Sequence, residues 1–500
     1  MGAAGTQADN ARFPEIDPEK RYDMLIGREW VQAADGATFR CVDPFDELAW
    51  GYVPVAGAAD VRAAVAAARA AFPGWRRTPV LQRVAIIDAW ATLIREHVDE
   101  LARLQVHENG KTITEMGPAA ASAAMFADYF GHLALSSHGV VVEPIVPGHE
   151  AWTRREPLGV VAAITPWNNP LALLAWKLVP ALASGNTMVA KPSEVTPVST
   201  LLLARLGVEA GIPEGVINVV TGAGDTGRLL VEDPDIDKIA FTGSTVVGQS
   251  IARSVADRFL RTTFELGGKG ANIVFADADL DRAVPGLLSG LLAGTGQACN
   301  AGSRLLIADE VYDEVIGRLQ RELAKVRIGD PLDPTVTIGP LASGPQYAKV
   351  CGYLDLAADE GHVLLAGGAR ATEIDGVDGG FFVQPTLFAT KDPHARLVQE
   401  EIFGPIGAVI RFSTEEEAIR IANDIAFGLV AGLWTQNVDR AHRVAHELQA
   451  GTIWINTWRV FSPNVPFGGM KMSGLGRELG IHALDEYTET KAIWLAVAQS

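Results

Sequence analysis

GVVAAITPWNNPLALLAWKLVPALASGNTMVAKPSE, residues 159–194, decides the fold. A short apolar run, GVVAAITP (159–166), gives way to LALLAWKLVPALAS (171–184), an apolar stretch of helical length placed directly after Pro170. A second short run follows, NTMVAKP (186–192). Short apolar runs bounded by turn residues read as buried strands, and proline suits the first turn of a helix. The alternation continues with a helix in TPVSTLLLARLGVEAG (196–211) and a strand in GVINVVTG (215–222). DKIAFTG (237–243) is a further strand leading into a helix that begins near Ser244, and RTTFELGGK (261–269) and ANIVFADAD (271–279) are strands. Strands alternating with helices predict a parallel sheet with crossover helices, in which ligands bind beyond the carboxyl ends of the strands.

Outward from this core, LIGREWV (25–31) and TFRCVDP (38–44) are β-like, and 59–72 and 80–104 show apolar residues at helical spacing. HGVVVEPIVPGHEAWTRREP (138–157) reads as a two-stranded excursion turning at Pro-Gly, with KAIWLAVA (491–498) as its partner strand. Residues 304–467 repeat strand and helix signals without glycine-rich phosphate loops and form a second α/β domain. At 500 residues the chain exceeds one ordinary core.

A net charge of -18 repels nucleic acid and anionic membranes, which favours a small-molecule role. No apolar run reaches the ~20 residues that span a bilayer, and the N-terminus shows no basic segment followed by an apolar one. The expected location is the cytoplasm, where Cys41, Cys299 and Cys351 stay reduced. MGAAGT matches a myristoylation pattern by letter, but the ordinary reading is an unstructured start. His442 and His446 stand four apart in HRVAHE without the Glu of a zinc-protease helix, so a solvated helix face is expected and no metal.

GTGQACNAGSR (294–304) sets Cys299 among small residues, either as a filler thiol or as a nucleophile. Two phosphate sites compete: TGAGDTG (221–227), which contains Gly224, and FTGS (241–244), where a strand meets a helix N-terminus. The second is preferred for its unpaired N–H groups and hydroxyls, against the alternative of a plain Ser/Thr cap. In KPSE, Lys191, Ser193 and Glu194 close a strand, and the carboxylate could accept ribose hydroxyls and repel a 2′-phosphate, or form a surface ion pair. Glu265 ends a strand before two glycines, where burial would make it a general base. Asn168 and Asn169, after Trp167 in PWNNP, either donate to an oxyanion or cap a helix.

Together, PWNNP, KPSE, FTGSTVVG, FELGGK, GQACNAGSR, EEIFGP (400–405) and PFGGMKMSGLGRE (466–478) resemble, in order, the aldehyde dehydrogenase superfamily from about Tyr22 to Ala496. The resemblance implies a Rossmann-type cofactor domain at 1–137 and 157–267 and an α/β catalytic domain at 268–467. A small β oligomerisation hairpin at 138–156, with a C-terminal strand in 484–500, completes a homodimer or homotetramer. It implies that Cys299 attacks a small-molecule aldehyde, that Asn168 and the Cys299 N–H hold the oxyanion, and that Glu265 activates the water that hydrolyses the thioester. NAD, in preference to NADP, would be held by Trp167, Lys191, Ser193, Glu194, Gly224, Phe241, Thr242, Gly243, Ser244, Leu266, Gly267, Glu401 and Phe403.

This chain departs from the family's frequent residues at Asn169 (often Phe), Gly294 (often Asn) and Met470 (often Tyr). Those departures and Arg459 in INTWRVFSP bear on the substrate side, which is expected to be built from Asn169, Trp176, Trp458, Arg459 and Phe461. Arg459 either contacts a polar or carboxylate-bearing aldehyde or pairs with an acidic surface group. Two other functions stay open: a coenzyme A-acylating semialdehyde dehydrogenase, whose members usually lack the Glu at position 265, and a catalytically silent scaffold.

Overall fold

A computed structural model of the protein describes residues 17–497; the MGAAGT segment lies outside them. An eight-stranded sheet runs in the order Glu29–Val31, Met24–Ile26, Ile217–Val219, Thr187–Lys191, Val160–Ile164, Lys238–Thr242, Arg261–Glu265, Gly474–Leu475. Its middle strands, from Ile217–Val219 to Arg261–Glu265, are parallel, and antiparallel pairs close both edges. Side chains alternate across a strand. Val161 and Ala163 therefore join the core beneath the helices Val80–Glu96, Ile113–Leu133, Pro170–Ala183 and Val198–Glu209. Val160, Ala162 and Ile164 face the opposite layer, formed by Ala58–Trp75 and its neighbours. Burial on both faces is why these strands read as unbroken apolar runs.

The second sheet has seven strands, in the order Val363–Ala366, Thr386–Ala389, Ile406–Phe412, Arg304–Ala308, Ala271–Val274, Val430–Trp434, Thr452–Ile455. All its pairs are parallel except the first. The chain passes between the sheets in the few residues from Glu265 to Ala271. Arg304, near the nucleophile loop in sequence, has a structural role: its guanidinium donates to the carbonyls of Lys269 (2.8 Å), Ile421 (3.0 Å) and Ala422 (2.9 Å).

Two local differences from the sequence reading have simple causes. The helical run 80–104 breaks at His97 (φ -109°, ψ 17°), so that Val80–Glu96 and Val98–Asn109 pack as separate helices. The second edge of the first sheet is closed by Gly474–Leu475, a pair too short to carry any strand signal. The excursion forms as expected: Val141–Val142 pairs with His149–Pro157, which pairs in turn along its whole length with Thr488–Ala496. His442 and His446 are exposed on the helix Val438–Glu447.

Candidate active site

In the first sheet the chain steps from Val160–Ile164 through Thr187–Lys191 to Ile217–Val219, then crosses to the other side for Lys238–Thr242. The order reverses between Ile164 and Thr242, and ligands bind at such a switch point in open α/β sheets. A cavity of ≈150 Å³ lies there. Trp167, Asn168, Thr242, Gly243, Ser244, Glu265, Leu266, Gly267, Cys299, Glu401 and Phe403 line it, with Gln346 and Lys349 added from the helix Gly344–Asp359.

Cys299 follows the helix Leu280–Leu292 on a loop held by left-handed backbone at Gly294, Thr295 and Gly296. Its sulfur is half-buried, whereas Cys41 and Cys351 are buried in the cores. Burial pushes the Cys299 thiol up to about 12, with Glu401 and Glu265 adding to the rise and Lys111 opposing it. A filler thiol needs no such surroundings; this one opens onto a cavity with two carboxylates, Glu265 buried and Glu401 half-buried.

Glu265 is 5% exposed, and neither carboxylate oxygen has a hydrogen-bond partner among the described residues. Burial raises it well above the usual carboxylate range; Glu478 adds to the rise, and Lys177 and Arg477 oppose it. Lys177, itself fully buried, donates to Thr242 Oγ1 (2.6 Å) and to Glu478. Asn168 donates one amide hydrogen to the Gln297 carbonyl (3.1 Å), which leaves a second. Capping is ruled out for both asparagines: Asn169 is the cap residue of Pro170–Ala183 yet makes no side-chain cap bond. Its Oδ1 accepts instead from Lys111 Nζ at 3.2 Å.

The ELGGK glycines answer a steric demand. A Cβ at Gly267 would lie 2.3 Å from Glu401 Oε2, and one at Gly268 would lie 2.4 Å from the Cys299 carbonyl. Gly268 N–H donates to Glu401 Oε1 at 2.9 Å, which holds the carboxylate over the link and leaves Oε2 for a ribose hydroxyl. Ser244 caps the helix Thr245–Val255, accepting from Val247 N–H, and the first N–H groups of a helix are donors of the kind that hold a pyrophosphate. Trp167 and Phe403 meet edge to face at 5.2 Å. These groups fit a nicotinamide dinucleotide.

The remaining expected residues lie around this cavity rather than on it. Lys191 Nζ donates to the Gly222 carbonyl (2.6 Å), which joins KPSE to the TGAGDTG turn. Glu194 is exposed beside Ser193, and Gly224 opens the helix Gly224–Glu232. The Phe241 ring packs in the core against Phe264. On the substrate side, Trp176 and Phe461 stand 6.4 Å apart, and both contact Phe467. Trp458 is wedged against Gly290, Gly302 and Gly432, where its indole backs the nucleophile loop. Arg459 forms no ion pair with a surface carboxylate among the described residues; it faces inward, toward Glu115 and Cys299.

Sequence reading passed over Lys111, in the turn between the helices Val98–Asn109 and Ile113–Leu133, and Glu115, Gln346 and Lys349, which come from helices without a recognisable motif. Lys177 left one signal, as the single charge in LALLAWKLVPALA.

The model of the aldehyde dehydrogenase family matches residues 30–493. The chain is 43% identical over 433 residues to the betaine aldehyde dehydrogenase of Mesorhizobium japonicum, covering 86% of this chain and 88% of that one. Among solved structures, PnpE of Pseudomonas, in complex with nicotinamide adenine dinucleotide, superposes with a TM-score of 0.94 at 43% identity, covering 96% of this chain and 98% of that one. An Escherichia coli NADP-dependent enzyme superposes at 0.93 with 39% identity, over 96% and 98% of the two chains. The protein thus belongs to the aldehyde dehydrogenase family and is an enzyme of that class, acting on small aldehydes.

A thiol raised this far is protonated at neutral pH, so its alkylation should accelerate with pH through the alkaline range. Iodoacetamide labelling of Cys299, read by mass spectrometry, should rise about tenfold per pH unit, as a thiolate fraction does below its pKa. Glu401→Gln, by removing a nearby negative charge, should speed labelling at fixed pH.

Proposed function

We propose that the protein oxidises an aldehyde to the carboxylic acid with NAD, through a covalent intermediate on Cys299. The observation that carries this reading is the convergence of Cys299, Asn168 and Glu265 on one cavity from three separate chain segments. The Cys299 thiol gives its proton to a base, a role for which Glu265 on the same cavity is placed and from which the proton passes to solvent. The sulfur attacks the aldehyde carbon, and the carbonyl oxygen gains charge as the thiohemiacetal forms. The free Asn168 amide hydrogen and the Cys299 backbone N–H stabilise that oxygen, each such donor contributing ~3 kcal/mol in comparable sites. When bound, NAD supplies the acceptor for the hydride that leaves this carbon, so that a thioester remains on Cys299. Glu265 then takes a proton from water, whose oxygen attacks the thioester carbon; the C–S bond breaks, the thiol returns, and the acid departs. Burial raises Glu265 above the usual carboxylate range, the direction that makes a carboxylate a stronger base.

NAD rather than NADP is favoured by the Glu194 carboxylate at the KPSE edge, which would repel a 2′-phosphate. Residues 1–137 and 157–267 make the cofactor unit and 268–467 the catalytic unit. The free thiols fit a reducing cytoplasm, and no described helix is long and apolar enough to cross a membrane. Residues 138–156 and 484–500 pair subunits into a homodimer or homotetramer. That role is supported by the exposure of Val141 (89%) and Trp494 (59%) on the three-stranded sheet and of Ile145 (101%) in the turn between its first two strands.

Cys299→Ala should still quench its tryptophan fluorescence on adding NAD yet form no NADH from any aldehyde; turnover in that variant would refute the nucleophile. Glu265→Gln should keep a burst of NADH and lose steady-state turnover ~100-fold, the scale of a general base. Wild-type kcat/KM should favour NAD over NADP, and Glu194→Ser should shrink that preference; equal use of both cofactors by wild type would count against Glu194. Ile145→Asp with Trp494→Asp should shift the light-scattering mass to that of a single chain.

A further inference from the structure

Lys111 is 2% exposed, and among the described residues its ammonium has one side-chain acceptor, Asn169 Oδ1 at 3.2 Å. An ammonium carries three donors, so two remain. The space it fills exists because residue 294 is glycine: a Cβ there would lie 2.7 Å from Lys111 Nζ and 2.6 Å from its Cε. Two departures from the family's frequent residues, Asn169 and Gly294, thus meet at one side chain that carries a charge.

Arg459 brings a second cation to the same place. Its backbone is left-handed (φ +59°), a conformation that is strained for a non-glycine residue and persists where surrounding structure imposes it. Its Nε is buried without a hydrogen-bond partner among the described residues. Lys111 and Arg459 share the same two neighbours, the Glu115 carboxylate and the Cys299 thiol, and Lys111 also feels Arg459. Glu115 already binds the Gly294 N–H through Oε1, at 2.7 Å. Two cations therefore face one carboxylate beside a thiol, in a chain whose net charge is -18. A buried charge without a partner is costly, so the arrangement calls for another anion. Because the reacting carbon sits at Cys299, that anion lies on the same molecule as the aldehyde.

We propose that Lys111 and Arg459 form a carboxylate subsite beside Cys299, and that the preferred substrates are aldehydes bearing a carboxylate group, oxidised to dicarboxylates. This rests on aldehyde oxidation at Cys299 as given above. Asn169 orients the ammonium, Gly294 leaves room for it, and Arg459 supplies a planar pair of donors suited to a carboxylate.

The test is kinetic, with NAD saturating, on succinic and adipic semialdehydes, their methyl esters and a trimethylammonium aldehyde. Wild type should show kcat/KM at least tenfold higher for an acid than for its ester, and lowest for the cation. Lys111→Met and Arg459→Met should each cut that acid-to-ester ratio about tenfold or more, as expected for loss of a charged hydrogen bond, and Arg459→Lys should restore part of it. A wild-type ratio near one would overturn the subsite while leaving aldehyde oxidation intact. Acid and ester falling together in the variants would also overturn it, assigning the cations to the Cys299 thiolate instead. No NADH from any aldehyde would overturn the underlying reading. Should a variant fail to fold, glutarate competing with aldehyde on the wild-type enzyme, where glutaramide does not, supports the subsite; equal inhibition by both refutes it.

Discussion

The link of residues 265–270 between the two sheets is the constraint on which the site depends. Glu265 ends the last parallel strand of one sheet, and Ala271 begins a central strand of the other. The two sheets can therefore meet only where this short segment lets them. Gly267 and Gly268 make that approach tight enough for the Glu401 carboxylate and the Cys299 carbonyl to lie against bare backbone. Ser473 locks the link from outside, donating to the Gly267 carbonyl (2.7 Å) and accepting from the Gly428 N–H (2.9 Å). A side chain at either glycine would separate the base from the nucleophile by moving whole sheets rather than one residue.

Around that link the interior is unusually charged, and the charges act through their neighbours. Lys177, Glu478 and Glu265 share one dry region, in which two carboxylates face one buried ammonium. That imbalance is what raises Glu265 beyond the effect of burial. On the other side of Cys299 the imbalance is reversed, with Lys111 and Arg459 facing Glu115. The thiol thus lies between a carboxylate-rich side and a cationic side. A low dielectric makes both polarities strong, and each is legible only from distances between segments far apart in the chain.

Much of the fold could be read before any coordinates. The strands at 160–164, 187–191, 217–219, 238–242 and 261–265 announce themselves as short apolar runs, because burial on both faces removes polar alternation. The partner strand of the excursion was recognisable from its β-branched and aromatic residues. The break at His97 was not, since the apolar spacing of 80–104 continues through it and the change of direction comes from packing. Nor was Gly474–Leu475, whose pairing comes entirely from the neighbouring strand Arg261–Glu265. At the site, Cys299, Asn168, Glu265 and Glu401 stood in recognisable motifs, and all four line the cavity. Lys111 lay in a short interhelical turn, and Gln346 and Lys349 in a helix, whose letters carry no chemical pattern.

The sequence by itself determined the succession of strands and helices, the switch point that follows from it, and the residue types at the strand ends. These are local properties, set by side-chain volume, backbone preference and position along a strand. Only the tertiary structure decided which charges share a dielectric: that Asn169 receives Lys111 instead of capping its helix, that Gly294 clears space for an ammonium, and that Arg459 turns inward. Charge pairing depends on distance and desolvation between residues hundreds of positions apart, and neither quantity is written in the order of the chain.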